Sequence, residues 1–484
     1  MSRADARATA VLVAGRGLGS AAALLIPVVL ARVFAPEEFG TYKQLMLVYS
    51  TLLLLAPFGL AESLFYFVPR GGRRAGGYVA NALLSLLLVG GLACAALSAQ
   101  GARLAGFLGN PALLPLLGPL ALLVALGVAA TPLEIVMIAR GRPAAAARCY
   151  GLSDLVKAAA MIAPALLLGR LDLVLQAALA FSALRLLATL AWCARELRAG
   201  FRPAPGLLAE QLRYALPFGA AAALENLQAS LHLYAVGHAF DAAAFAVYAV
   251  GCLQVPLVDL VTGSAGSVLM VRLAGEPGRE AAAAAWTETI ARMAFLLFPL
   301  VAWLEAVAPD VIAVLYPPSY LASVPVFRVF CLTILLGALP TDAVLRARAQ
   351  TRFLLLANAA RLLLVIVAIG WCLGAFGLAG GALATLLAAA AAKAASLARV
   401  RRLLETGPGR LLPWRRLCGL ALASTAAALV TLLWRATTLA SPWPSLLGAS
   451  LLYAACYLAL VWLLDGARGL ARLRSVAAGA GRAG

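Results

Sequence analysis

Long apolar runs separated by short polar loops recur along the whole chain. A helix needs roughly 20 mostly apolar residues to cross the roughly 30 Å hydrocarbon core of a bilayer. The pattern therefore predicts an all-α membrane protein with about 14 transmembrane helices. The predicted spans are approximately 8–34, 41–68, 76–98, 113–139, 146–168, 172–193, 212–237, 244–271, 284–305, 322–345, 353–374, 377–398, 415–435 and 443–465.

Two parts of this pattern occur twice, about 200 residues apart. Similarity at a fixed spacing indicates an internal duplication. The alternative is chance similarity between helices rich in alanine and leucine. The matching sets are Phe34, Phe39 and Tyr42 with Phe240, Phe245 and Tyr248, 206 residues apart, and Pro132, Ala139 and Arg140 with Pro340, Ala347 and Arg348, 208 residues apart.

The duplication predicts three parts. Residues 1–200 form an N-terminal six-helix bundle, residues 201–404 form a C-terminal six-helix bundle, and residues 405–484 form an extra transmembrane pair with a cytoplasmic tail. Six is an even number, so both copies have the same orientation, as in transporters built from parallel repeats. We expect the site in the cleft between the two bundles. Seven prolines inside predicted spans permit bends: Pro57, Pro132, Pro164, Pro217, Pro256, Pro299 and Pro340.

Composition supports the membrane class. The chain of 484 residues is 64% hydrophobic and only 12% charged, with a mean hydropathy of +0.95. Its net charge of +19 is spread over short arginine clusters between apolar runs, which argues against nucleic-acid binding. Arginine-rich loops remain in the cytoplasm. Their alternation predicts a multi-pass membrane protein with both termini in the cytoplasm. The excess of arginine over lysine and the alanine richness indicate a bacterial source, and hence the cytoplasmic (inner) membrane.

Cysteine and histidine usage argues against a metal or redox site. The eight cysteines stand singly, without a Cys-x-x-Cys pair, and only two histidines occur. We therefore predict no metal and no cofactor. No loop is long enough to house a soluble catalytic domain, so an enzyme is not expected.

Charged residues inside a membrane are costly and mark functional candidates. We predict that Arg16, Arg185, Arg292 and Arg361 bind a phosphate-bearing head group, because guanidinium groups contact phosphate in a bidentate way. The alternative for Arg16 is a structural pair with a helix carboxylate. Asp154 and Lys157, three residues apart, are expected to neutralise each other. The other charges within predicted spans are Lys393, Glu62, Glu134, Glu225, Asp259 and Asp342.

The most polar stretch of any span is Glu225-Asn-Leu-Gln228, followed by His232. A carboxylate there is a candidate carrier of a coupling proton or sodium ion. Glu225 and His232 are therefore candidates for ion coupling, with Asp259 as a weaker one. The alternative is that Glu225 pairs with an arginine.

Several segments in order resemble the Wzx-type polysaccharide (oligosaccharide) flippases of the multidrug/oligosaccharidyl-lipid/polysaccharide exporter superfamily. The likeness covers about residues 8–400. The segments are Gly17-Leu-Gly-Ser20, Leu30-Ala-Arg-Val-Phe-Ala-Pro-Glu-Glu-Phe-Gly-Thr-Tyr42, Tyr214-Ala-Leu-Pro-Phe218, Phe245-Ala-Val-Tyr248, Ala308-Pro-Asp-Val-Ile312, Leu315-Tyr316 and Pro325-Val-Phe-Arg328. The second copy departs from the first at Ala242 and Ala246, which replace Pro36 and Gly40.

The resemblance implies two six-helix bundles that move undecaprenyl-diphosphate-linked oligosaccharide from the cytoplasmic to the periplasmic leaflet. It implies a first-span arginine in a cationic cavity, for which Arg16 is the counterpart. It also implies that the last helix pair receives the lipid tail, as in lipid II flippases. The implied partners are the lipid-linked oligosaccharide and the bilayer, with a polysaccharide polymerase and glycosyltransferases acting on the same lipid. No nucleic-acid partner is expected.

Two other functions remain open. An ion-coupled drug or small-molecule antiporter of the same superfamily typically has twelve spans, so the last helix pair argues against it. A membrane-embedded glycosyltransferase or polymerase usually needs a large extramembrane loop or a dense cluster of acids and histidines. This chain has neither feature.

Overall fold

A computed structural model of the chain describes residues 19, 22, 24–197, 200–275, 278–437 and 441–465. These residues form helices and contain no strand, which confirms the predicted all-α class. The backbone N–H and C=O groups of a helix form hydrogen bonds with one another, and hydrocarbon offers them no other hydrogen-bond partner. The α-helices are α1 Leu24–Val33, α2 Pro36–Leu55, α3 Leu60–Arg70, α4 Ala75–Phe107, α5 Leu114–Ala129, α6 Pro132–Ala139, α7 Pro143–Leu168, α8 Leu171–Leu197, α9 Pro205–Ala239, α10 Ala242–Gly251, α11 Pro256–Ala274, α12 Arg279–Leu315, α13 Val324–Leu336, α14 Thr341–Ala347, α15 Thr351–Phe376, α16 Leu378–Leu403, α17 Pro408–Leu411, α18 Trp414–Thr437 and α19 Pro442–Asp465. Short 3-10 helices occupy Gly72–Arg74, Pro111–Leu113 and Pro318–Ser323.

Within the described residues, eleven helical segments are long and apolar enough to cross a bilayer, each where a span was predicted. Some of them contain two consecutive helices. The segments are Pro36–Arg70, Gly72–Phe107, Pro111–Ala139, Pro143–Leu168, Leu171–Leu197, Arg279–Leu315, Pro318–Ala347, Thr351–Phe376, Leu378–Leu403, Trp414–Thr437 and Pro442–Leu463.

The other three predicted spans differ from these. Most of the first lies outside the described residues, and α1 is its described part. The seventh corresponds to α9, whose 35 residues include the polar Glu225, Gln228 and His232. The eighth, predicted as an apolar span over 244–271, is interrupted in the structure. It consists of α10 and α11, because the residue before Pro256 is extended, with φ −102° and ψ 98°, as proline requires.

The seven prolines predicted as bend points behave in two ways. Four lie where one helix ends and the next begins, and three lie inside continuous helices. The interruption between α2 and α3 includes Gly59, whose φ of 78° favours glycine. The first group is Pro57, Pro132, Pro256 and Pro340, and the second is Pro164, Pro217 and Pro299.

The two parts of the sequence that occur twice also have equivalent backbone hydrogen bonds. After α6 and after α14, three consecutive N–H groups donate to the same relative carbonyls, 208 residues apart. The bonds are Arg140 to Val136, Gly141 to Ile138 and Arg142 to Met137, and then Arg348 to Val344, Ala349 to Arg346 and Gln350 to Leu345. The N–H groups of Phe34 and Phe39 have equivalent bonds at Phe240 and Phe245. Equal turns at equal spacing support the duplication over chance similarity.

Contacts divide the described residues into two compact units, one that ends at Ala246 and one that begins at Val247. In the first unit, α9 packs on α2, α3 and α4, and α5 and α7 both pack on α8. In the second unit, α12 packs on α11, α13, α18 and α19, and α15 packs on α16. The predicted domain boundaries at 200 and 404 remain a prediction.

An ion pair fixes α18 and α19 to α12 in the second unit. Arg435 donates from Nη2 to Oδ1 of Asp310 at 3.0 Å and from Nη1 to the carbonyl of Ala306 at 2.7 Å. The hydroxyl of Ser445 donates to the other oxygen of Asp310 at 3.2 Å. The side chains of Asp310 and Arg435 are only 11% and 17% exposed. Each charge is therefore neutralised by the other rather than by water.

We predict that Asp310→Ala lowers the stability of the protein strongly. Removing one member of a buried pair leaves an uncompensated charge and typically costs about 3–5 kcal/mol. Thermal unfolding in detergent measures the effect. The control is Asp172→Ala, since Asp172 pairs with Arg170 in an exposed position and such pairs contribute roughly 0–1 kcal/mol. Equal melting shifts in the two variants would contradict the prediction.

Candidate functional site

Arg185, one of the predicted head-group ligands, lies in a polar cluster inside the first unit. Its Nη2 donates to both oxygens of Glu134, each at 2.8 Å, and its Nη1 donates to the hydroxyl of Ser153. The thiol of Cys149 is 3.4 Å from Glu134 Oε1. The side chain of Glu134 is 2% exposed and that of Arg185 is 23% exposed. One carboxylate and one guanidinium balance this cluster.

Three helices bring these side chains together. Proline at the first position of α6 starts a new helix inside the span and places Glu134 in its first turn. The dipoles at a helix N-terminus stabilise a carboxylate there. Cys149 and Ser153 are four residues apart on α7 and therefore share a face, while Arg185 reaches them from α8.

Asp154 and Lys157 do not form the direct ion pair expected from their spacing, within the part of the chain that the structure describes. The ammonium of Lys157 instead lies 5.8 Å from the centroid of the Tyr49 ring. The carboxylate of Asp154 lies against Gly19 so closely that any larger residue at position 19 would overlap it. The first unit thus holds two more interior charges beside the Glu134–Arg185 pair.

Arg361 lies in the second unit, beside a cavity of about 320 Å³. Lys393 in the same cavity donates to the hydroxyl of Thr341 at 3.1 Å and lies 3.7 Å from Oδ1 of Asp342. Asn358 contributes an amide to the lining. Two cations and one carboxylate give this cavity an excess of one positive charge, which favours a bound anion. We call it the second-unit cavity.

The two polar clusters occupy equivalent positions of the duplication. Each carboxylate lies on the short helix, α6 or α14, and each partner cation lies on α8 or α16. The equivalent pairs, all 208 residues apart, are Glu134 with Asp342, Arg185 with Lys393, and Ser153 with Arg361. Sequence reasoning noted most of these residues singly but missed their correspondence. Applying the offset of 208 to every charge within a span would have found it.

Arg292 occupies a different kind of position. It lies on α12 with a side chain that is 67% exposed, and its Nη2 is 2.5 Å from Oε1 of Glu288. Glu288 also contacts Arg272 at 3.3 Å. These three side chains are exposed, and none of them lines the second-unit cavity.

The ion-coupling candidates lie on two helices. On α9 in the first unit, Glu225 is exposed while Gln228 and His232 are buried. On α11 in the second unit, Asp259 is exposed. The described residues contain no group of three or more histidines, cysteines or acids arranged to hold a metal ion. Arg16 lies outside the described residues, so its predicted role stays a prediction.

The two equivalent pairs should respond differently to loss of the carboxylate. Glu134→Gln leaves the buried guanidinium of Arg185 charged, because arginine keeps its proton in proteins. Asp342→Asn leaves Lys393, which can lose its proton, and Asp342 is half exposed. We expect Glu134→Gln to cost about 3 kcal/mol or more and Asp342→Asn about 1 kcal/mol.

Thermal unfolding of both variants in the same detergent measures this difference. An Asp342→Asn variant that melts as early as Glu134→Gln would show that the two pairs are equally structural.

Solved structures with the same fold are transporters. The chain is similar to an inward closed conformation of the lipid II flippase MurJ, with a TM-score of 0.74 and 12% identity, over 94% of this chain and 98% of that one. It is also similar to an inward-facing multidrug resistance MATE family transporter, with a TM-score of 0.62 and 15% identity, over 81% and 94% of the two chains. A transporter from Pyrococcus furiosus gives a TM-score of 0.56 at 14% identity, over 83% and 96%.

The MATE and Pyrococcus furiosus proteins are described as transporters of the MOP superfamily. The fold of the chain is therefore that of this superfamily, as the resemblance implied. No curated protein matches the sequence. The family model described as "Polysaccharide biosynthesis protein" matches residues 29–325. Because this match covers more than half of the chain, the protein belongs to that polysaccharide biosynthesis family.

Proposed function

We propose that the protein is a flippase that moves undecaprenyl-diphosphate-linked oligosaccharide from the cytoplasmic to the periplasmic leaflet of a bacterial inner membrane. Membership of a polysaccharide biosynthesis family, in a chain with a transporter fold, is the observation that carries this proposal. Surface polysaccharides are assembled on lipid carriers, and the sugars must cross the membrane. A polysaccharide polymerase and glycosyltransferases acting on the same lipid are its proposed functional partners.

The larger share of this chain that matches a lipid flippase supports a lipid substrate. The flippase MurJ covers 94% of this chain, whereas the MATE transporter covers 81%. Drug antiporters typically have twelve spans, and α18 and α19 come after the two copies of the duplication. We propose that these two helices receive the polyprenyl tail, which then stays in the lipid while the head group crosses.

The diphosphate is the part of this substrate whose transfer into hydrocarbon costs the most free energy. An unpaired charge in an apolar medium costs several kcal/mol or more. We propose that Arg16, Arg185 and Arg361 replace the water around it. The second-unit cavity suits this role best, because Arg361 and Lys393 outnumber the carboxylate of Asp342. Arg185 is already held by Glu134, so its contribution would require sharing with that carboxylate.

Arg292 and the coupling residues belong to the proposal as secondary members. Arg292 lies on an exposed surface with Glu288, where it suits a passing contact with phosphate better than a buried one. Glu225, His232 and Asp259 are proposed to carry a coupling ion. The carboxylates of Glu225 and Asp259 are exposed on the surfaces of their own units, whereas His232 is buried.

Movement is proposed to follow alternating access, in which the site opens to each side of the membrane in turn. The helix interruptions beside Pro57, Pro132, Pro256 and Pro340 are points where spans can bend without breaking further hydrogen bonds. The second candidate function is an ion-coupled antiporter of drugs or small molecules. The similarity to a multidrug resistance MATE transporter favours it. A membrane-embedded glycosyltransferase or polymerase ranks third.

The first experiment is a flipping assay in proteoliposomes with a fluorescent undecaprenyl-diphosphate sugar. We expect Arg361→Gln to slow flipping roughly tenfold or more, because a hydrogen bond to a charged group contributes about 1.5–3 kcal/mol. The control is Arg352→Gln, since Arg352 is an exposed residue of the same helix that does not line the cavity. Equal rates for the two variants would remove Arg361 from the site.

Arg16→Ala, assayed in the same liposomes, tests the first-span arginine. We expect it to abolish transport while the protein remains folded, because a first-span arginine is proposed to hold the diphosphate. Unchanged transport would reduce Arg16 to a structural ion pair. A wild-type protein that moves no lipid-linked sugar, yet exchanges a cationic dye for protons, would favour the antiporter.

A further inference from the structure

A second basic site lies at one end of the first unit, away from the polar cluster of Arg185. It is a cavity of about 440 Å³, a volume within the roughly 300–1,000 Å³ of small-molecule sites. We call it the arginine cavity. Its lining residues are Tyr66, Phe67, Arg70, Gly71, Arg73, Arg74, Tyr78 and Glu210.

Close packing and hydrogen bonds hold the start of α4, which follows the arginines of this cavity. Position 76 at the start of α4 lies against the carbonyl of Gly200, with no room for a larger residue than Gly76. The amide of Asn81 donates to the carbonyl of Ala204 and accepts from its N–H, both at 2.8 Å. These contacts hold the chain before α9 against the first turns of α4, directly after the short helix Gly72–Arg74.

Aromatic rings orient one of the arginines. The guanidinium of Arg70 lies 4.2 Å from the centroid of the Tyr66 ring, and this ring stacks on Tyr214 at 4.8 Å. Arg73 and Arg74 are exposed. Neither has a hydrogen bond or an ion pair from its side chain among the described residues. Their donors are therefore available to a ligand.

The balance of charge defines the ligand. Glu210 is the single carboxylate of the lining, and it accepts a hydrogen bond from the Tyr78 hydroxyl at 2.8 Å. Three arginines against one carboxylate leave an excess of two positive charges. Planar guanidinium groups match phosphate oxygens, and exposed tyrosines are typical of the membrane–water boundary. The loop also carries one of the arginine clusters that predict the cytoplasmic side.

We propose that the arginine cavity binds the phosphate groups of a lipid head at the cytoplasmic membrane surface, before that head enters the membrane. The choice of a polyprenyl diphosphate as the lipid rests on the proposed function. The excess of two charges suits a diphosphate better than the single charge of an ordinary anionic phospholipid. The cavity is then a capture site, separate from the buried cations that carry the head across.

The test uses full-length protein in neutral detergent and farnesyl diphosphate as the probe, with binding measured by microscale thermophoresis. We expect the double variant R73Q/R74Q to weaken binding roughly tenfold, since two charge-assisted contacts to phosphate are lost at an exposed site. The matched control is R401Q/R402Q. It removes the same charge from two adjacent exposed arginines in the last turn of α16, and it should bind like the wild type.

Glu210→Gln is a second test variant, for which the opposite change in binding affinity is expected. Glutamine can still accept the Tyr78 hydrogen bond, but the repulsion between carboxylate and phosphate disappears, so binding should tighten by about threefold. Weakening in both Glu210→Gln and R73Q/R74Q would indicate a collapsed cavity and overturn the proposal. Equal affinities of R73Q/R74Q and its control would overturn it as well.

Short-chain phosphatidylglycerol, titrated in parallel, identifies the source of the phosphate. A loss confined to farnesyl diphosphate supports the diphosphate lipid, and an equal loss for both supports bulk anionic lipid at the same site. Failure of the proposed function has a different signature. The wild type would bind farnesyl diphosphate through Arg73 and Arg74, yet would transport no lipid-linked sugar in liposomes.

Discussion

A charge inside the membrane must have a partner, because an ionised group without one costs several kcal/mol in a low-dielectric interior. Each unit contains one pair that meets this constraint in the same way. A proline interrupts a span, a short helix restarts beside it, and a carboxylate in the first turn meets a cation from a later helix. The pairs are Glu134 with Arg185 and Asp342 with Lys393. The interruption of the span and the placement of the charges therefore occur together, and the duplication repeats both in the second unit.

The two copies have diverged in a direction that favours different roles. In the first, Ser153 completes a balanced cluster, and the guanidinium satisfies Glu134 through two equal bonds. In the second, Arg361 takes the position equivalent to Ser153, and the pair loosens to 3.7 Å beside a cavity. A balanced pair with short bonds holds helices together. A cavity lined by two cations and one carboxylate instead favours an anionic ligand, because the excess positive charge of its lining attracts a phosphate.

The pattern of apolar runs predicted the class and eleven of the apolar segments, because a span must be long and apolar enough to cross hydrocarbon. The superfamily was predicted from the resemblance of several short segments. The sequence patterns did not predict which charges meet. Glu134 and Arg185 are 51 residues apart, and periodicity carries no information about contacts between distant helices. The sequence also did not predict the rotation of each helix about its axis, which determines the side chains that are exposed. Arg292 lies in an apolar stretch, yet its side chain is exposed and contacts Glu288. The break before Pro256 was missed because a proline permits both a bend and a full interruption.

Exposure sets how strongly each basic site can hold a phosphate. The arginine cavity faces solvent, where screening reduces the attraction between charges to roughly 1 kcal/mol at contact distance. The second-unit cavity lies between α13, α15 and α16 and is lined by the mostly buried Lys393 as well as the half-exposed Asp342. The attraction between charges is several times stronger in a less polar surrounding. A weak exposed site releases its ligand readily, whereas a shielded one competes with the hydration of the diphosphate. Under the proposed function, capture at the surface and dehydration within the protein would use separate sets of cations, the arginine cavity for the first and Arg361 with Lys393 for the second.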